Sequence, residues 1–339
     1  MVGARLSFLI AMLLAVAPAG GILRADPVFS IAGTLPESGD YDTVLAALAD
    51  VGAEATSLTL FWDDLEPAGR YDPDVDWPAI ANAVYPEAGL ALTLTISVVD
   101  TVADRRPEDL RALDWDDPRL IARFAAFLDR VLGRMPDVEL LQISIGNEVD
   151  GVIGADRAEA YGRFFRAARQ VARRHRPEVP VTITMTWPGL RSSAAMRDLA
   201  DLGDAWSVTY YPIDADFAQA PPETLPAVPS QMRALAGDAP ILLAEVGFSS
   251  DGCGATGEAT QKRFFGTLFD TLAGRDDVSL VQLVWLHDIG AEEVAGYAGY
   301  YGQAAPCFSR YLSGLGLRHA DGRDKLAFRW LREHAGQQE

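Results

Sequence analysis

Eight short apolar, β-branched runs recur along this chain, and stretches with the spacing of amphipathic helices lie between them. The runs cover 28–32, 56–62, 90–98, 140–145, 181–186, 206–211, 241–246 and 278–286. Helical patterns follow near 41–51, from Trp77, and over 118–132, 157–174, 194–202, 229–235, 260–272, 308–312 and 325–334. In the third complete pattern, Ile121, Phe124, Phe127, Leu128 and Val131 fall on one helical face. Eight strand–helix alternations in 339 residues point to a single-domain α/β protein, a closed (β/α)8 TIM barrel. A doubly wound open sheet would need a Gly-rich phosphate turn after an early strand, and Ser30–Pro36 offers none. No linker, repeat or low-complexity segment divides the chain.

The N-terminus reads separately. Arg5 precedes an apolar run from Leu6 to Val16, which is short for a membrane span. Ala17-Pro18-Ala19 offers an A-x-A cleavage site and Ala25 a second. Residues 1–25 are expected to be a signal peptide cut near 19 or 25, and 26–339 the catalytic barrel; an uncleaved anchor is the alternative. The mature chain is expected to be secreted or periplasmic, monomeric and free of membrane segments. In such a compartment Cys253 and Cys307 are expected to pair as a disulfide between two late loops, with free thiols as the alternative. A formal net charge of −19 repels phosphate backbones, which argues against nucleic acid as a partner.

In a TIM barrel the chemistry sits where strands end and βα loops begin. The fourth run ends Ile145-Gly146-Asn147-Glu148-Val149-Asp150, and the seventh Leu243-Ala244-Glu245-Val246-Gly247-Phe248. Each places a glutamate at the barrel mouth. Strict alternation along the seventh strand expects Leu243 and Glu245 to share the inward face. Two such carboxylates are what glycosidic cleavage needs: one protonates the leaving oxygen, the other attacks the sugar carbon or activates water. Either glutamate alone reads as a solvated loop charge; their positions on strands four and seven make the pair.

Asn-Glu after strand four and Glu after strand seven resemble the clan A glycoside hydrolases, which are retaining TIM-barrel enzymes. The resemblance implies Glu148 as acid/base, Glu245 as nucleophile and Asn147 as a partner of the sugar 2-hydroxyl. Tyr210-Tyr211-Pro212 resembles the endo-β-1,4-galactanase family, and implies that one of the two tyrosines orients the nucleophile while the other packs outside. Glu245-Val246-Gly247-Phe248 is also similar to the β-1,3-glucanase branch. Trp285 matches the clan's tryptophan platform beneath the bound sugar, and aromatic faces suit pyranose rings. Where clan members commonly carry an arginine at the end of strand two, this chain has Leu60-Phe61-Trp62-Asp63, and Trp62 is a substrate-contact candidate. Ile213-Asp214-Ala215-Asp216 also departs from the galactanase pattern after Tyr-Tyr-Pro.

His287-Asp288 follows Trp285; His287 reads equally as a substrate contact or as a loop hydrogen bond. Asp72, Asp74 and Asp76 alternate like part of a calcium loop but lack the glycine and the terminal glutamate, so they read as a solvated loop. His-Glu-x-x-His and Gly-x-Ser-x-Gly are absent. No metal and no cofactor are expected. The expected partner is a carbohydrate, and the expected activity is retaining, endo-acting β-glycoside hydrolysis. An exo-acting β-glycosidase and a non-catalytic carbohydrate-binding barrel are the alternatives.

Overall fold

The computed structural model describes residues 26–67, 69–303 and 305–335; the signal-peptide reading of 1–25 lies outside them. The barrel strands are β1 (Val28–Ile31), β2 (Ala55–Phe61), β3 (Ala91–Asp100), β4 (Leu140–Asn147), β5 in two pieces (Val181–Thr182 and Thr184–Thr186), β6 (Trp206–Tyr210), β7 (Ile241–Val246) and β8 (Val278–Leu283). All eight pair in parallel. The first piece of β5 pairs with β4 and the second with β6, so the sheet closes on itself through that strand. This is the (β/α)8 barrel.

The outer layer follows from sequence. Leu92, Leu94, Ile96 and Val98 of β3 are fully buried, facing helices whose apolar stripes complete the core. The helix α1 (Tyr41–Asp50) is capped by the Asp40 side chain, which accepts from the Asp42 amide. Asp117 caps the helix Pro118–Gly133 in the same way, with Pro118 at a position where a missing N–H costs nothing. Asp76 of the alternating aspartates caps the helix Trp77–Glu87 by accepting from the Ala79 amide.

The inside of the barrel is different. Val28, Leu141, Ala205, Leu242 and Leu280 form an apolar plug near the strand starts. Above them the interior is polar. Thr93 donates to Gln282 Oε1 at 2.6 Å, from β3 to β8. Gln142 donates to Ser207 Oγ at 2.7 Å, from β4 to β6. These strands are not neighbours, so both bonds cross the barrel. Buried hydroxyls and amides must find partners, and here they find one another.

Several boundaries differ from the sequence expectation. β3 runs two residues further, to Asp100, and β8 leaves the ladder at Leu283. Between Leu243 and Glu245 the register with β6 shifts by one residue, a β-bulge at Ala244. The expected shared face of Leu243 and Glu245 is therefore wrong: Leu243 packs in the outer core, while Ala244 and Glu245 both line the barrel mouth. Among the described residues three α-helices were not foreseen: Trp62–Leu65, Trp187–Ser192 and α10 (Ala291–Tyr300). Among the described residues no helix is long and apolar enough to cross a membrane.

Cys253 and Cys307 are joined, with Cα atoms 5.5 Å apart. The bond ties the loop after β7 to the helix Pro306–Ser313. It closes a loop of 54 residues, for which chain entropy gives a stabilisation of about 4 kcal/mol. The Cys253→Ala, Cys307→Ala double variant should unfold at a clearly lower denaturant concentration than the oxidised protein; an unchanged midpoint would show that the bond is not a restraint.

Candidate active site

The glutamates of β4 and β7 meet at the barrel mouth. Gly146 has φ +90°, and a Cβ there would lie 2.5 Å from Val149 Cγ2 and 2.7 Å from the Tyr161 hydroxyl. The glycine thus lets the chain turn tightly out of β4. Glu148 follows in the left-handed region, φ 46°. Thr101, just past β3, has φ 47°, a costly conformation for a β-branched residue. These two strained residues touch each other: Thr101 Oγ1 donates to Glu148 Oε2 at 2.7 Å. The other oxygen, Oε1, accepts from Thr209 Oγ1 of β6, also at 2.7 Å. Loss of water around Glu148 raises its pKa; the two hydroxyls oppose that, and the charges of Asp150 and Asp100 add to it.

Glu245 has different neighbours. Tyr211 donates to its Oε2 at 2.5 Å, and the Asn147 amide also hydrogen-bonds it. Burial first, then the Glu148 charge, push Glu245 up to about 8, against the pull of Tyr211 and Asn147. The register explains the meeting: Glu245 lies opposite Thr209, and Asn147 opposite Asp100. Asn147 Nδ2 donates to Asp100 Oδ1 at 3.3 Å. Behind the pair, Asp150 accepts from the Thr186 amide (2.8 Å) and hydroxyl (2.6 Å), pinning the end of β5 to the loop after β4.

The structure separates the two tyrosines. Tyr211 reaches Glu245, whereas Tyr210 is buried in the outer core and is not a substrate contact. Gly247 lets Tyr211 in: a Cβ at Gly247 would lie 2.4 Å from its Cε1. Trp285 joins Asn147 and Glu245 around a cavity of about 100 Å³, floored by Thr93, Gln142 and Gln282.

Two candidates fall elsewhere. Trp62 is 0% exposed; it starts the helix after β2, packs edge-on against Phe124 and donates to Glu66 at 2.7 Å. β2 ends one residue earlier, so its side chain turns out of the barrel. His287 is also 0% exposed, with Nδ1 2.8 Å from the Thr34 carbonyl and Nε2 3.4 Å from Arg318. Burial lowers its pKa, and it links the loops after β8 and β1. The hydrogen-bond reading of His287 is the correct one. Thr101, Thr209 and Asp100 were missed. Only Asp100 left a sequence signal, as an acid two residues past the long third run.

No protein-family model matches the chain, and no curated protein matches it by sequence. Solved structures do. A GH5_18 protein from Streptomyces cattleya, in complex with GlcNAc, shares 17% identity over 92% of this chain and 80% of that one, with a TM-score of 0.69. The exo-β-1,4-mannosidase of Opitutaceae bacterium strain TAV5 shares 18%, covering 92% of this chain and 59% of its own, with a TM-score of 0.71. The β-glycosidase BGL167 shares 17%, covering 87% and 85%, with a TM-score of 0.63. At these identities the likeness establishes the barrel fold.

Burial and mutual repulsion push the carboxylate pair upwards, Glu245 to about 8, so the folded pair keeps one proton that the unfolded chain releases. Stability is full below pH 4.5 and is lost as pH rises through about 8. Glu245→Gln keeps the shape without the charge. The variant should be more stable than wild type at pH 8, with the gain fading towards pH 4.5. Melting curves across that range test this, and an equal gain at both ends would contradict it.

Proposed function

We propose that this chain is a retaining β-glycoside hydrolase acting by double displacement on a β-linked carbohydrate. The observation that carries the reading is the unequal surroundings of the two carboxylates. Glu245 faces an amide N–H, from Asn147, that can only donate, so its anion is the favoured partner. Glu148 faces two threonine hydroxyls, which donate to a carboxylate and can turn to accept from a carboxylic acid. The pair resists full ionisation, because each buried charge raises the cost of the other. One shared proton therefore belongs on Glu148.

The chemistry follows. Glu148 gives its proton to the glycosidic oxygen as the bond to the anomeric carbon breaks. Glu245 attacks that carbon from the opposite face and forms a glycosyl ester. Glu148, now ionised, takes a proton from water, and the water oxygen displaces Glu245. Two inversions retain the β configuration, and Glu148 ends protonated, ready for the next cycle. Tyr211 keeps Glu245 aimed and steadies its charge. Asn147, between Asp100 and Glu245, is suited to the sugar 2-hydroxyl, and Trp285 to the face of the ring. No cofactor enters any step.

The neighbours named above include an exo-β-1,4-mannosidase and a protein holding GlcNAc, which supports carbohydrate as the ligand class. β-Mannosides, β-galactans and β-1,3-glucans are the substrates to compare first. Endo action, expected from the galactanase-like motif, needs a groove open at both ends; the helix α10 favours the exo reading. The leader-like N-terminus and the disulfide support an exported protein.

Glu245→Gln should abolish turnover of aryl β-glycosides while the protein stays folded; a variant with wild-type rates would remove Glu245 as nucleophile and leave another acid in its place, and no turnover by the wild-type protein would leave the non-catalytic barrel. Glu148→Ala should lose most activity and recover part of it with azide on substrates bearing a good leaving group, yielding the β-glycosyl azide. Recovery of the α product instead would contradict retention.

A further inference from the structure

We infer that α10 and Asp100 wall off one end of the site, so that it takes a single terminal sugar from the non-reducing end of its substrate. The inference rests on the hydrolase reading above. α10 follows β8, yet its last residue is fastened at the end of β3, so the helix links the two ends of the strand run β8, β1, β2, β3. The Tyr300 hydroxyl lies 2.8 Å from Asp100 Oδ2 and 3.0 Å from the Asp100 carbonyl oxygen. The Tyr297 ring lies over Trp285, with centroids 5.7 Å apart. Tyr301, one residue beyond α10, hydrogen-bonds Thr101, and its ring meets those of Tyr300 at 5.2 Å and Phe308 at 5.6 Å.

The direction of the substrate follows from the two carboxylates. The leaving oxygen departs on the side of Glu148, at the end of β4. The sugar that forms the ester sits at Trp285 and Glu245, and its far side turns towards β8, β1, β2 and β3. That is where the tyrosines stand. A groove that continued a chain there would have to pass through Tyr297, Tyr300 and their anchor.

Asp100 gives the wall chemistry as well as bulk. Its Oδ1 accepts from Asn147, and its Oδ2 is bonded to Tyr300. An ionised carboxylate offers about four acceptor sites, so two stay free for hydroxyls. Hydroxyl-to-carboxylate bonds are among the stronger polar contacts. The hydroxyls at the free end of a terminal sugar are the groups that would use them; a chain extended there has replaced one by a glycosidic ether and cannot donate from it. Asp100 is thus assigned as a specificity residue.

The test uses pentasaccharides of the β-mannan, β-glucan and β-galactan series, carrying a fluorophore at the reducing end. Each is offered with its terminal hydroxyls free and with two of them tied in an acetal. Stepwise loss of one sugar at a time from the free form, with no cleavage of the blocked form, is the expected result. Early mid-chain products, or equal cleavage of both forms, would overturn the pocket and leave the hydrolase standing. No cleavage of either form, nor of aryl β-glycosides, would overturn both. Asp100→Asn should lower kcat/KM on the free form by about tenfold or more, mainly through KM. A Tyr297→Ala, Tyr300→Ala variant should gain cleavage of the blocked form; a folded variant without that gain would count against the wall.

Discussion

Two carboxylates share the mouth of this barrel with little water, and like charges so confined cannot both be ionised cheaply. Much of the local structure answers that constraint. Donors converge on both groups, from Thr101 and Thr209 on one and from Tyr211 and Asn147 on the other. The donors are not equivalent. An amide N–H can only donate and so favours an anionic partner, while a hydroxyl can donate or accept. The proposed division of labour between Glu245 and Glu148 rests on this difference.

The fold pays for the arrangement in backbone conformation. Two of the three non-glycine residues with positive φ among those described, Thr101 and Glu148, are hydrogen-bonded partners at the site. A bulge on β7 shifts the inward positions so that Glu245 reaches the mouth opposite Thr209. Gly247 leaves space for the Tyr211 ring that holds it. The polar barrel interior below, from Ser207 and Gln142 across to Thr93 and Gln282, continues the hydrogen bonding under the carboxylates.

The architecture was legible because hydrophobic periodicity reports which face is buried, and the eight runs all became barrel strands. The glutamates were legible because a strand end is a position in sequence as well as in space. What alternation could not show was the bulge at Ala244, since an inserted residue looks like any other. Trp62 was misplaced by one residue of strand length, enough to turn the indole from the mouth to the outer core. His287 was ambiguous in sequence because a buried loop histidine and a ligand-binding one have the same neighbours along the chain. The choice between Tyr210 and Tyr211 depended on where β6 ends, which the register with β7 decides. Thr101 and Thr209 carried no signal at all: threonine is common in strands, and only the meeting of β3, β4 and β6 gives these two a role.

The central claim is that Glu245 forms a covalent bond to the sugar. An activated β-glycoside carrying fluorine beside the anomeric carbon slows both displacements, and its good leaving group lets the first proceed so that the ester accumulates. Mass spectrometry of the digested protein should find one sugar added to the peptide containing Glu245, with activity lost in step. A label on Glu148 or Asp100, or inactivation with no covalent adduct, would contradict the account.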